Sequence, residues 1–105
     1  MMPVPPWSYS THWISACTIE QDVRGHTALG IIRKLFGEFI EARPVWKPMH
    51  LQPVFAQHRY FPHGNDSVSD GLFERGICLP SGSNMTEAQI DRVAQTVLKV
   101  GKQAL

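Results

Sequence analysis

The sequence predicts an α/β domain of the α+β, two-layer kind: a small sheet of about three strands covered by two longer helices and one short helix. Apolar residues recur at helical spacing in two segments, one after Gly25 and one ahead of the C-terminus. Short β-branched or apolar runs stand between and before them. A length of 105 residues suits one hydrophobic core and is too short for two.

Residues 1–10 carry Pro3, Pro5 and Pro6 and are expected to form an extended arm, leaving 11–105 as the domain. The run "THWISACTI" from Thr11 to Ile19 is rich in β-branched and aromatic residues and reads as the first strand, ended by the polar residues Glu20 to Asp22. Ala28, Ile31, Ile32, Leu35 and Phe36 share one face of the first helix, which Gly37 is expected to stop in a left-handed conformation. "FIEAR" then gives a second strand closed by Pro44, which cannot donate to a central ladder.

From Pro44 to Asp66 the chain is a long proline-punctuated segment, with one helical turn expected around Leu51 to Gln57. A short helix over Val68 to Arg75 follows, capped by Ser67 and stopped by Gly76, and "ICL" makes the third strand. Thr86 and Gln89 form a capping box for the last helix, whose stripe of Ile90, Val93, Ala94, Val97 and Leu98 should face the sheet.

Hydrophobic content of 43% with 18% charged residues excludes a disordered chain, and a formal charge of +1 leaves no broad basic field for nucleic acid. No leader pattern and no apolar stretch of spanning length is present, so a cytoplasmic protein without a membrane partner is expected. Cys17 and Cys78 sit far apart inside apolar runs and read as reduced, buried thiols.

The richest chemistry lies in "ARPVWKPMHLQPVF", Ala42 to Phe55. Pro44, Pro48 and Pro53 stiffen it, so it can present side chains in one shape. Arg43 offers a planar fork for phosphate or carboxylate, Lys47 a compact charge, Trp46 a stacking face and His50 a group able to move a proton near neutral pH. Together they suit an anionic, ring-containing ligand. The plainer alternative makes Trp46 and His50 structural and pairs Arg43 with Glu41 or Glu38. His50, His58 and His63 lack metal-ligand spacing, and Ser81 and Ser83 read as turn residues with no base to activate them.

Two blocks, "IEARPVWKPMHLQPVF" and "LFERGICLPSGSNMTEAQIDRV", resemble the C-terminal small domain of the DegT/DnrJ/EryC1/StrS family, the pyridoxal-phosphate-dependent aminotransferases acting on nucleotide-linked keto sugars. The likeness runs from Thr11 to the C-terminus and implies the small-domain fold of fold-type I aminotransferases. It also implies that Arg43, Trp46, Lys47, Met49 and His50 are substrate-side residues, beside the cleft between domains. The family's Schiff-base lysine and cofactor-binding scaffold belong to a large N-terminal domain without counterpart here. The resemblance therefore implies no catalytic residue, no cofactor bound by this chain alone and no transamination unaided. A stand-alone homologue with weak nucleotide-sugar or protein binding is the first expectation. A subunit completing a site with a separately encoded large domain and a self-associating module are the alternatives. One departure stands out: Phe39 occupies a position where relatives often carry glycine, just before the isoleucine.

Overall fold

The computed structural model describes residues 4–20 and 25–102; residues 1–3 of the expected arm and part of the expected turn at 20–22 lie outside the described residues. Its three strands are β1 (Ser15–Thr18), β2 (Arg43–Pro44) and β3 (Gly76–Leu79), and its α-helices are α1 (Ala28–Gly37), α2 (Val68–Arg75) and α3 (Glu87–Lys102). The sheet order is β1-β3-β2, with β3 antiparallel to both neighbours. Cys17 and Pro44 both stand opposite Ile77, while Ala16 and Arg43 stand opposite Cys78. Because side chains alternate across a strand, Ile77 and Cys78 define the two faces of the sheet. The Ile77 face is covered by α1 and α3: Ile77 and Leu35 are fully buried, and Ala28, Ile31, Ile40, Ala42 and Val100 complete the core.

The starts of α2 and α3 follow the sequence signals, and α1 is capped by Thr27. The Thr27 hydroxyl accepts from the Gly30 N–H at 3.1 Å, and the Ser67 hydroxyl from the Asp70 N–H at 3.3 Å. The Thr86 N–H donates to Gln89 Oε1 at 2.8 Å while the Gln89 N–H donates back to Thr86 Oγ1 at 3.3 Å, the reciprocal box the sequence predicts.

Several boundaries differ from expectation. The first strand is confined to Ser15–Thr18, not Thr11 to Ile19, since only these residues have a partner on β3. The second strand is not Phe39 to Arg43. Phe39 has φ 57°, its N–H bonds the Phe36 carbonyl and the Ile40 N–H bonds the Leu35 carbonyl, the paired bonds of a Schellman cap. Gly37 is therefore the last residue of α1 and the left-handed position falls on Phe39, because Ile40 must turn inward to meet Leu35. The strand starts only at Arg43 and includes Pro44, which is tolerated because β2 is at the sheet edge. Phe36, expected on the buried face of α1, is 75% exposed. The stripe of α3 is rotated: Val93, Val97 and Val100 face the core, and Ile90, Ala94 and Leu98 are exposed. The single turn expected at Leu51 to Gln57 is two 3-10 turns, Met49–Leu51 and Pro53–Phe55, each started by a proline whose fixed φ suits it.

Gly76 is extended rather than left-handed, so its role as a helix stop is not conformational freedom. A β-carbon there would sit 2.3 Å from the Leu72 carbonyl oxygen and 2.7 and 2.8 Å from the Val45 methyls. Its missing side chain lets β2, β3 and the end of α2 close up, with the Val45 N–H bonding the Gly76 carbonyl at 3.2 Å.

Candidate functional site

On the sheet face carrying Cys78 the described residues form a groove whose lining includes no helical residue. One part, of about 550 Å³, is lined by Trp13, Ile14, Glu41, Arg43 and the run Cys78 to Ser83, which leads from the end of β3 into the next connection. A contiguous part of about 340 Å³ shares Ile14, Arg43 and Cys78 and adds Pro44 and Trp46. Arg43 projects here because it stands opposite Cys78 in the ladder. Its Nε donates to Glu41 Oε1 at 2.8 Å, and Nη2 contacts the same oxygen. Exposed pairs of this kind contribute about 0 to 1 kcal/mol, so an incoming anion can compete for the guanidinium. The Trp13 and Trp46 rings lie 5.9 Å apart at 35°, an aromatic wall along the groove.

The proline loop splits the expected site residues between two environments. Arg43 and Trp46 reach the groove. Lys47 is exposed beyond its lining, and its carbonyl accepts from Gln52 Nε2 at 3.1 Å. Met49 stands against the same amide, Sδ to Nε2 3.8 Å. His50 points to the other side. Its ring stacks on Tyr60 at 3.6 Å and 15°, and Nε2 lies 2.7 Å from Asp70 Oδ1, both atoms shut from solvent and outside hydrogen-bond alignment. The Tyr60 hydroxyl is 2.7 Å from that of Ser67, the cap of α2. His50 thus fastens the loop to α2, one of the two roles open to it from sequence, and stiffens the segment that carries Trp46.

Arg43 pairs with Glu41, while Glu38 bonds Lys99 at 3.2 Å. His58 packs against Phe55, and His63 pairs with Asp66 through the backbone as an isolated antiparallel bridge; among the described residues no three His, Cys, Asp or Glu side chains converge as metal ligands. Ser81 is occupied structurally, accepting from the Ser15 N–H and donating to the Leu79 carbonyl, each at 2.8 Å. Cys17 and Cys78 are free and partly buried, on opposite faces, which rules out a bond between them. Burial raises both thiol pKa values above the ordinary 9.0.

Trp13, Ile14 and Cys78 were not among the expected site residues. The signal for Ile14 and Cys78 was the period of two, which becomes a groove only once β1 and β2 are placed on either side of β3, whereas Trp13 precedes β1 and has no such signal. No lysine lines either part of the groove; Lys34, Lys99 and Lys102 are on helices and Lys47 on the loop surface. The residues lining the groove therefore do not fit pyridoxal phosphate as an imine-linked group.

Comparison with known proteins adds an independent line. The model of the DegT/DnrJ/EryC1/StrS aminotransferase family matches residues 1–98. EpsN of Bacillus subtilis (strain 168), which carries the name of a pyridoxal phosphate-dependent aminotransferase, is 43% identical over 98 residues, 92% of this chain and 24% of its own length. A GDP-perosamine synthase of Caulobacter vibrioides is 35% identical over 63 residues, 60% of this chain and 16% of its own. The solved structure of a chain named as a sugar aminotransferase of Streptococcus pneumoniae, in its PMP form, shares the fold at TM-score 0.71 and 21% identity, covering 88% of this chain and 23% of that one. The chain thus spans about a quarter or less of the length of these relatives.

Proposed function

We propose, because the chain belongs to the DegT/DnrJ/EryC1/StrS aminotransferase family, that its groove is the nucleotide-sugar wall of an aminotransferase site whose cofactor and lysine are supplied by chain outside these residues. The observation that carries this reading is the convergence of one guanidinium, Arg43, with two indoles, Trp13 and Trp46, on one open groove. A diphosphate wants a planar cationic fork, and a base or sugar ring wants an aromatic face. Lys47 adds positive charge at the mouth, while Met49 and His50 act from behind by fixing the loop. In this reading 11–105 is the small domain, 1–10 its arm, and the chain works in the cytoplasm without transaminating alone.

A titration of the 105-residue chain with uridine- and thymidine-diphosphate sugars, followed by the indole signals of Trp7, Trp13 and Trp46, tests the reading. Saturable shifts at Trp13 and Trp46 that Arg43→Ala abolishes are expected, with Trp7 unmoved. No shift at millimolar ligand would sink it. Borohydride reduction in the presence of pyridoxal phosphate should mark no single lysine stoichiometrically.

A further inference from the structure

We propose that the outer flank of α3 is a self-association surface, on which a second copy of this chain lays its own α3 antiparallel. This surface is separate from the groove. Ile90, Ala94 and Leu98 recur every four residues and form one apolar stripe, with Ile90 53% and Leu98 57% exposed. Arg92 and Lys99 reach Glu38 at the end of α1. At about 100° per residue the stripe lies on the opposite flank of α3 from those two, and so points away from α1.

The occupant is identified by symmetry and charge. Ile90 stands four residues before Ala94 and Leu98 four after it, so a two-fold axis at Ala94 brings each Ile90 against the other copy's Leu98. The small side chain at the axis lets the helices approach closely. α3 has an acidic first turn, Glu87, and a basic last turn, Lys99 and Lys102. Antiparallel pairing places each Glu87 beside the partner copy's Lys102, twice, and opposes the helix dipoles favourably. The outer flank of α1 serves as a contrast. Leu29 and Phe36 are exposed there too, yet α1 has no acid in its first turn, and Arg33, on the same flank, would face its own copy. Self-pairing therefore selects α3.

Sedimentation of the 105-residue chain from micromolar to millimolar concentration at low salt should show a monomer–dimer equilibrium. Ala94→Arg, an exposed change at the axis, should leave the far-UV spectrum intact and weaken the dimer more than about tenfold by placing two cations together. Glu87→Lys or Lys102→Glu alone should weaken it by about 2- to 30-fold over the two symmetric pairs, and the double swap should restore it. A chain monomeric at millimolar concentration overturns the proposal, as does a dimer indifferent to Ala94→Arg. A double swap no tighter than the single swaps overturns the antiparallel register.

Discussion

Ile77 and Cys78 are neighbours on one strand, and each looks onto a different face of the sheet. Ile77 faces Leu35, Ile31 and Val100 in a closed core, whereas Cys78 faces Trp13, Arg43 and Trp46 across an open groove. The helix-covered face is held by dense packing, which tolerates little loss of volume. The groove face carries the exposed Arg43–Glu41 pair and the Trp13–Trp46 ring contact, which cost little to rearrange. Fold and proposed ligand site are thus written on alternate residues of the same ladder.

The sharpest way to break this contrast is truncation on either side. Ile77→Ala leaves a cavity among fully buried neighbours and should cost about 2–5 kcal/mol. Cys78→Ala should cost about 1 kcal/mol or less, since one side of that thiol has no packed partner. Urea unfolding of the two variants checks this; equal losses would mean that the groove face carries structural weight as well. Gly76→Ala should fall between them at about 1–3 kcal/mol, because the backbone carbonyl of Leu72 cannot yield to a β-carbon 2.3 Å away. By pushing Val45 outward it should also shift the Trp46 indole signal, unlike Ile77→Ala variants compared at matched folded fraction.

What the sequence made legible follows the same division. Ser67 and the Thr86–Gln89 box marked two of the helix starts because capping is local, a matter of three or four consecutive residues. The rotation of α3 was not legible: Ile90, Val93, Ala94, Val97 and Leu98 form one wide apolar arc, and only packing decides which edge of it meets Val100's neighbours. In the site, the pattern of the proline loop pointed to Arg43 and Trp46, which the groove brings together. His50 shares their motif, yet Tyr60 and Asp70, ten and twenty residues further on, claim its ring. Trp13 stayed hidden because its neighbour Trp46 is supplied by the loop that follows β2, on the far side of β3 from β1.

A smaller effect sharpens the comparison at the join between the faces. Phe39 is 93% exposed and left-handed, so its side chain contributes little burial while its backbone pays the Cβ clash of that conformation. Phe39→Gly should raise stability by about 1 kcal/mol, the clash partly offset by glycine's greater freedom when unfolded. The midpoint of urea unfolding reads this directly. A loss instead of a gain would show that the phenyl ring has a contact worth more than the strain.

The smallest expected effect belongs to the thiols, and it compares the faces within one experiment. Burial raises both pKa values, and for Cys78 the charge of Cys17 raises it further, so the fold favours the neutral thiols. Their contribution to stability is complete below the unfolded thiol pKa and is lost as pH climbs through the raised folded values, a window that opens above about 9. Below it, iodoacetamide should modify both cysteines more slowly than a free peptide thiol, because the thiolate is the nucleophile. Cys78, at an open groove, should react in the native chain, whereas Cys17, packed against the core, should wait for opening of the sheet and speed up with urea. A nucleotide sugar seated on Arg43 and Trp46 should slow Cys78 alone. If urea accelerates both thiols equally from the native state, the ladder does not separate two environments, and the groove loses its standing as a preformed site.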